Sequence, residues 1–342
     1  MRVFVQIPCL NEEKTLPLVL GSIPREIEGV DSLEILVIDD GSTDDTVEVA
    51  KRLGVRHFVR HARNMGLARS FRDGVDYALA HGADIVVNTD GDNQYPQDMI
   101  PQLLKPVMDG EADIAIADRQ TAEIAEFSRF KKRMQRFGSE VVNHAATTDL
   151  PDAASGFRAY SRGALYRLNV VTQFSYCMET IIQAGNKRLR IASVPVTTNP
   201  KTRESRLFSS IWQHMFKSGT AIVRSYLMFK PYVILGWIAA VLGVVGVIPL
   251  VRFFVFWLMG ESAGHIQSLV IASSMTVGSL LALAILVIAD LQRTNRVLLE
   301  DSLERLKRLQ FCVASGESVH EPTWESAATA SSPEDDETQR LR

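Results

Sequence analysis

Short apolar segments alternate with amphipathic ones along the first part of the chain. RVFVQIP (2–8), LEILVID (33–39) and ADIVVNT (83–89) are nearly continuous apolar runs, as expected of strands covered by helices on both faces. Apolar residues at helical spacing predict helices over 43–53 and 66–80. The same patterns predict a helix within 13–23, a strand near 55–59, a helix over 97–109 and a strand over 112–117. This alternation predicts βαβ units with right-handed crossovers, and therefore a doubly wound, mostly parallel α/β sheet.

Two much longer apolar segments follow, at 232–260 and 268–291. Each has very few charges and is long enough to cross a hydrocarbon layer of about 30 Å as a helix. Residues 206–230 mix aromatic and aliphatic side chains with Lys and Arg at helical spacing, which is typical of a helix in the membrane interface; a packing helix with one solvated face is the alternative. We therefore divide the chain into a soluble domain (1–205), an interfacial helix region (206–230), two transmembrane helices (231–292), a cytosolic amphipathic helix (293–313) and a disordered acidic tail (314–342).

Composition and charge give these segments an orientation. With 342 residues, 46% of them hydrophobic, the chain can form a large core and more than one structural unit. Basic residues flank the apolar pair: Lys217, Arg224 and Lys230 precede it, and Arg293, Arg296, Arg305, Lys307 and Arg308 follow it. The connecting GESAGHIQS has no Lys or Arg, and the opening MRVFVQIPCLNEE does not read as a secretory signal. We expect both ends of the anchor and the soluble domain to be cytoplasmic. The amphipathic helix offers a surface for self-association, so the sequence leaves a homo-oligomer open.

Polar clusters follow three of the predicted strands. They are PCLNEE (8–13), DDGSTD (39–44) and DGDNQ (90–94). Ligands of doubly wound sheets bind at the carboxyl ends of the strands, so we expect the three clusters on one rim. The sequence has no GxGxxG or GxxxxGK[ST] segment, which removes the main support for a dinucleotide or P-loop version of the fold. A nucleotide-sugar version remains.

Asp90 and Asp92 carry the candidate metal chemistry. Two carboxylates separated by one glycine repel each other unless a divalent cation lies between them. Their oxygens suit Mg²⁺ or Mn²⁺, which complete their coordination with water and substrate phosphates. The pair is thus half of a metal site, whose other half would be a departing diphosphate. Taken alone, however, DGDN is better explained as a turn rich in Asp, Gly and Asn.

These clusters, together with SGFR (155–158) and TRESR (202–206), occur in the order and roughly at the spacing seen in family 2 glycosyltransferases with the GT-A fold. Over about residues 1–310 the chain resembles the polyprenyl-phosphate glycosyltransferases, a group that includes the dolichyl-phosphate mannose synthases. The resemblance implies a metal-dependent transfer of a sugar from a UDP- or GDP-sugar to a polyprenyl phosphate, with Mg²⁺ or Mn²⁺ as cofactor. It also implies an integral protein of the cytoplasmic (inner) membrane, with no nucleic acid as partner.

The resemblance assigns roles to side chains on the donor side. The residues implied to hold the nucleoside are Pro8, Asn11 and Glu12, with Asp39 or Asp40. Asp90 and Asp92 would hold the metal and the diphosphate, and Gln94 would lie beside the sugar or the acceptor phosphate. The implied catalytic set is Asp92, Gln94, Arg119 and Asp152.

Further residues are implied on the sugar and acceptor side. Arg119, in ADR where relatives commonly show GSR, would approach a phosphate or the sugar. The residues implied to line the sugar site are Asp152, Ser155 and Arg158, and those implied to bind the acceptor phosphate are Arg203 and Arg206. Asp152 is a candidate base or a group that orients sugar hydroxyls, with a turn or capping role as the alternative. Arg133, in the basic stretch 129–136, would attract lipid headgroups or the acceptor phosphate, unless that stretch is only a solvated helix face.

We expect inversion at the anomeric carbon, because a single in-line displacement suffices. A phosphate monoester has a second pKa of about 6, so the acceptor is largely a dianion at neutral pH and needs no strong general base. A processive polysaccharide synthase would be expected to carry a QxxRW element and a larger set of membrane spans, and this sequence shows neither. The alternatives left open are a catalytically silent, membrane-anchored nucleotide-sugar-binding protein and a transferase for another lipid acceptor.

Overall fold

The computed structural model describes residues 1–120, 138–144, 146–171, 176–200, 231–260 and 266–315. The predicted interfacial helix at 206–230 lies outside these residues, as do Arg133, Arg203 and Arg206 and nearly all of the predicted acidic tail.

Strands and helices alternate through the soluble domain. The strands are β1 (Arg2–Cys9), β2 (Ser32–Asp39), β3 (His57–Arg60), β4 (Ile85–Asn88), β5 (Ile114–Asp118), β6 (Arg158–Ser161) and β7 (Ile191–Pro195). The helices of this domain are α1 (Leu16–Ser22), α2 (Thr46–Arg52), α3 (Leu67–Ala80), α4 (Ile100–Met108), α6 (Arg162–Arg167) and α7 (Tyr176–Asn186). The described residues 138–144 belong to a further helix, α5. A single 3₁₀ turn (Gln97–Met99) precedes α4.

The described strands form one sheet in the order β3-β2-β1-β4-β6-β5-β7. Strand β6 is antiparallel to both β4 and β5, and the other pairings are parallel. The prediction of a mostly parallel sheet with helices is therefore confirmed. Strand β6 was not predicted; it lies between β4 and β5 and makes the sheet mixed.

The two faces of the sheet explain the continuous apolar runs. Along β1, Val3, Val5 and Ile7 face a core shared with α1, α2 and α4, whereas Phe4 faces a second core shared with α3, α6 and α7. Successive side chains of a strand point to opposite faces, so both sets must be apolar when helices cover both.

Two apolar helices follow, α8 (Pro231–Leu258) and α9 (Ile266–Ser315), and both are long and apolar enough to cross a membrane. Contacts run in opposite directions along them, with Gly236 facing Leu286 and Gly246 facing Met275, so they form an antiparallel hairpin. A Cβ on Gly246 would lie 3.1 Å from that of Met275, so the glycine allows a close approach.

Helix α9 continues well beyond the length that a membrane needs. At about 1.5 Å per residue its 50 residues extend over about 75 Å, more than twice the hydrocarbon thickness. The second predicted span and the predicted amphipathic helix at 293–313 are thus one continuous helix.

The carboxyl part of α9 packs on α3 and α6 of the soluble domain. Phe311 is buried in the core cluster beside Tyr166, and Lys307 Nζ donates a hydrogen bond to the Leu168 carbonyl at 2.9 Å. Lys187 and Glu300 form an ion pair at 2.8 Å. One face of this segment therefore binds its own soluble domain.

Candidate active site

Hydrogen bonds join the loops that follow β1 and β2. The backbone N–H of Asn11 donates to Ser42 Oγ at 2.9 Å, and the N–H of Thr43 donates back to Asn11 Oδ1 at 2.7 Å. The N–H of Glu12 donates to Thr46 Oγ1 at 2.8 Å. Asn11 adopts a left-handed conformation (φ 57°), which asparagine tolerates better than most residues. The two predicted nucleoside-binding loops thus form one structural unit.

Asp40 holds the loop that leads into α3. Its carboxylate accepts hydrogen bonds from the N–H groups of Met65 and Gly66 at 2.8 and 2.9 Å, immediately before the helix begins. His61 Nδ1 lies 2.7 Å from the same carboxylate. Both oxygens of Asp40 are therefore engaged in local structure.

Asp39, the last residue of β2, accepts fewer hydrogen bonds than Asp40. One oxygen accepts the N–H of Ser42 at 2.9 Å, and the other lies 3.6 Å from Arg60 Nε. Asp39 and Asp40 are both buried, so burial does not distinguish them, but their hydrogen bonds do. Asp39 is the better candidate for contacting a ligand.

The Asp90–Asp92 turn follows β4 and lies against the first loop. A Cβ on Gly91 would be 3.1 Å from Cys9 Sγ, 3.3 Å from Glu12 Cγ and 3.4 Å from the Pro8 carbonyl oxygen. Strands β1 and β4 are parallel neighbours, so their carboxyl ends meet at one edge of the sheet. The structure thus brings together the DGDNQ and PCLNEE clusters.

Asp92 and Gln94 interact directly. The backbone N–H of Gln94 donates to Asp92 Oδ1 at 3.1 Å, and Gln94 Nε2 donates to Asp92 Oδ2 at 2.8 Å. Gln94 is half-buried and turned towards the carboxylate. It orients Asp92 in this conformation.

The donor set suits a hard cation that completes its coordination with water and phosphate oxygens. Within the described ranges, no three His, Cys, Asp or Glu side chains converge on a point that could hold a metal ion. Asp90 and Asp92 instead provide two carboxylates on one turn, which fits Mg²⁺ or Mn²⁺ shared with a substrate better than a closed protein cage.

Arg119 and Asp152 form a two-point ion pair. Arg119 Nε and Nη2 donate to the two carboxylate oxygens of Asp152 at 2.6 and 2.9 Å. Burial of Asp152 by itself raises its pKa, but the hydrogen bonds and charge of Arg119 outweigh burial and lower the pKa below the usual value. Asp152 is therefore ionised at neutral pH, and both of its oxygens already accept strong hydrogen bonds. This arrangement makes it a poor general base.

Arg158 lies in the interior, which corrects the expectation that it lines the sugar site. Its side chain is fully buried, and its N–H groups donate to the carbonyls of Ser155 (2.7 Å), Ala153 (3.0 Å) and Cys177 (2.9 Å). A fourth hydrogen bond reaches Thr180 Oγ1 at 2.8 Å. The guanidinium thus joins the 153–155 loop to α7. Ser155 is also fully buried, so its side chain does not face an open sugar site in this conformation.

A buried polar network behind the carboxylate turn was not predicted. Gln6 of β1 and Asn88 of β4 are direct neighbours in the sheet, and Gln6 Nε2 donates to Asn88 Oδ1 at 2.9 Å. Asn88 Nδ2 donates to the Tyr176 hydroxyl at 2.6 Å and to the Gly156 carbonyl at 3.0 Å. The available signal was an amide side chain in each apolar run, Gln6 in RVFVQIP and Asn88 in ADIVVNT.

Comparison with known proteins gives consistent results. The model of the family described as Glycosyl transferase family 2 matches residues 4–168. An uncharacterised protein of Methanocaldococcus jannaschii is 30% identical over 202 residues, covering 57% of this chain and 81% of that protein. Polyprenol monophosphomannose synthase of Mycolicibacterium smegmatis is 28% identical over 229 residues, covering 63% and 85% respectively.

A solved structure shares the fold. Glucosyl-3-phosphoglycerate synthase from Mycobacterium tuberculosis, determined with Mn²⁺, uridine-diphosphate-glucose and phosphoglyceric acid, superposes with a TM-score of 0.51 at 22% identity. The match covers 66% of this chain and 78% of that one. At this identity the likeness concerns the fold.

Proposed function

Because this chain belongs to glycosyl transferase family 2, we propose that it transfers a sugar from a UDP- or GDP-sugar to a polyprenyl phosphate at the cytoplasmic face of a membrane. The main support for the proposal is the position of the Asp90–Asp92 turn, which packs against the first loop. The same chain continues into two candidate membrane helices. The products would be a polyprenyl-monophosphate sugar and a nucleoside diphosphate.

The joined loops after β1 and β2 would bind the nucleoside. Asn11 keeps the two loops together, and Asp39 would contact the nucleoside because Asp40 is committed to the start of α3. The diphosphate would extend from there towards Asp90 and Asp92, across the contact between Gly91 and the first loop.

Asp90 and Asp92 would hold Mg²⁺ or Mn²⁺ through their carboxylate oxygens. When bound, the ion neutralises the negative charge that develops on the departing diphosphate. Gln94 would keep Asp92 oriented, because it donates to both of its oxygens. We also propose that Gln94 lies near the sugar or the acceptor phosphate.

The displacement itself requires no proton transfer from the nucleophile. An oxygen of the phosphate dianion bonds to the anomeric carbon, the bond from that carbon to the diphosphate oxygen breaks, and the configuration inverts. This agrees with the state of Asp152, which is ionised and paired with Arg119. The pair would therefore bind sugar hydroxyls or a phosphate through Arg119, whose side chain is 19% exposed. Arg203, Arg206 and Arg133 remain the proposed contacts of the acceptor phosphate.

The membrane helices provide the physical reason for a lipid acceptor. A polyprenyl phosphate stays in the bilayer, so its enzyme must bring a cytosolic donor site to the headgroup plane. The end of α9 packs on the soluble domain, so both would lie on the same side of a membrane. An anchor that crosses the membrane twice would place them in this way. This contact supports our proposal that the soluble domain and the end of α9 are both cytoplasmic. The relationship to a polyprenol monophosphomannose synthase supports the same acceptor class.

A donor panel tests the proposal. The full-length protein in detergent is incubated with undecaprenyl phosphate, Mn²⁺ and radiolabelled UDP- or GDP-sugars, and label is measured in the organic phase. We expect one donor to give organic-soluble product that is lost with chelator and with Asp92→Asn. Absence of such product with every donor would overturn the proposal, as would full activity of Asp92→Asn.

A further inference from the structure

The backbone of Gly156 lies directly behind the Asp90 carboxylate. A Cβ at this position would be 3.2 and 3.4 Å from the two carboxylate oxygens and 3.3 Å from the Tyr176 hydroxyl. These distances are tighter than most Cβ contacts, so glycine allows this peptide a close approach to the carboxylate. The position of the Gly156 peptide therefore limits the space available to the Asp90 carboxylate.

The Gly156 peptide is held at both of its polar ends. Its N–H donates to the Tyr95 hydroxyl at 2.9 Å. Its carbonyl accepts from Asn88 Nδ2 at 3.0 Å and from the Tyr176 hydroxyl at 3.1 Å. Tyr176 has one hydroxyl hydrogen, which goes to Gly156, and its oxygen accepts from Asn88 at 2.6 Å. Both polar groups of the Gly156 peptide thus have hydrogen-bond partners on buried side chains.

Aromatic packing fixes both tyrosines. The Tyr176 ring stacks on Phe71 with 4.0 Å between centroids and 4° between planes, and the Tyr95 ring stacks on Phe157 at 5.3 Å. Both tyrosine side chains are buried. The two hydroxyl groups therefore have little freedom to move, and their hydrogen bonds hold the Gly156 peptide in place.

We propose that Tyr176 is a positioning residue for metal binding, because its hydroxyl fixes the Gly156 peptide that sets the place of the Asp90 carboxylate. The inference rests on the proposed function in taking Asp90 as a metal ligand. Groups that orient a ligand from behind typically change metal affinity by about 10–100-fold when they are removed. A network that served only the core would change stability and leave metal affinity as it was.

Binding of Mn²⁺ tests the inference independently of sugar transfer. The full-length protein in detergent is titrated with Mn²⁺ alone, and in separate series with uridine or guanosine diphosphate, and free Mn²⁺ is measured by electron paramagnetic resonance. Tyr176→Phe removes the hydroxyl and keeps the stacked ring, so we expect Mn²⁺ affinity to fall about tenfold. Gly156→Ala should weaken it as well. In a transfer assay the Mn²⁺ requirement of Tyr176→Phe should rise while the rate at saturating Mn²⁺ recovers.

Tyr160→Phe is the matched control. Tyr160 is equally buried and contacts the same Phe71 ring edge-on, but its hydroxyl lies by Arg158 Nη1 at 3.5 Å. We expect this variant to bind Mn²⁺ as the wild type does. Unchanged Mn²⁺ affinity in Tyr176→Phe, with affinity lost in Asp90→Asn, would overturn the inference and leave the proposed function standing. If Asp90→Asn also bound Mn²⁺ normally, the proposed metal site itself would fail, and the inference with it.

Discussion

Breaking the ion pair between Arg119 and Asp152 from one side is expected to destabilise the soluble domain strongly. The Asp152 side chain is fully buried and that of Arg119 is 19% exposed. Removing one partner of a buried pair leaves the other charge uncompensated, which costs about 3–5 kcal/mol. Arg119→Met leaves the carboxylate without any water contact, whereas Asp152→Asn leaves a guanidinium that water partly reaches. We therefore expect Arg119→Met to be the more damaging change.

The effect should depend on pH in a defined direction. In the folded state, burial raises the pKa of Asp152, but hydrogen bonding to Arg119 outweighs burial and lowers the pKa below its usual value. Such a group stabilises the fold above its unfolded pKa, and this contribution is lost as the pH falls through the lower folded pKa. The difference in stability between wild type and Arg119→Met should therefore shrink as the pH falls below the ordinary aspartate range.

Equilibrium urea unfolding of the full-length protein in detergent, followed by far-ultraviolet circular dichroism, measures both effects. Lys51→Met is the matched control, because Lys51 forms an exposed ion pair with Glu48 at 2.8 Å and should show no measurable loss. The reasoning would be refuted if Arg119→Met and Asp152→Asn both unfolded like the wild type. A difference that stayed constant down to acidic pH would refute the electrostatic explanation.

Two further changes test the packing. Phe311→Ala removes a ring that is only 5% exposed, and loss of a buried Phe costs about 3–5 kcal/mol, so the end of α9 should lose its protection from hydrogen exchange. Val313→Ala, at a position that is 76% exposed, should leave this protection unchanged. Unchanged protection in Phe311→Ala would contradict the observed packing of α9 on the domain. Gly74→Ala would place a Cβ 2.6 Å from Gln6 Oε1 and should lower the free energy of unfolding by about 1–3 kcal/mol, measured by the same urea titration. Gly21→Ala, in a helix with nothing within 4 Å of the new methyl, should be neutral or stabilising, and equal losses in both glycine variants would rule out steric overlap as the cause.

The predictable part of the fold rests on local patterns. Strands buried on both faces are read from continuous apolar runs, and the clusters at their carboxyl ends follow from the rule that parallel strands end on the same edge. Strand β6 was not assigned because its sequence, RAYS, is not a continuous apolar run. The continuity of α9 was missed because its composition changes near residue 292 while its helix does not end.

The site was predictable to a similar extent. That the Asp90 turn and the first loop lie on one edge of the sheet followed from the carboxyl ends of parallel strands, whereas the pairing of Arg119 with Asp152 depends on a contact across 33 residues. Arg158 was assigned to the sugar site through the resemblance that the SGFR segment carries. Its actual partners are mainly backbone carbonyls, and no sequence pattern identifies them.

The most direct test of the central claim is the chemical identity of the acceptor. Full-length protein in liposomes is given the active nucleotide sugar and equal amounts of undecaprenyl phosphate, undecaprenol and undecaprenyl diphosphate, and the lipids are analysed by mass spectrometry. We predict one new lipid, undecaprenyl phosphate carrying one sugar, with a matching amount of released nucleoside diphosphate. Sugar found on undecaprenol, on undecaprenyl diphosphate or only on a water-soluble acceptor would contradict the claim.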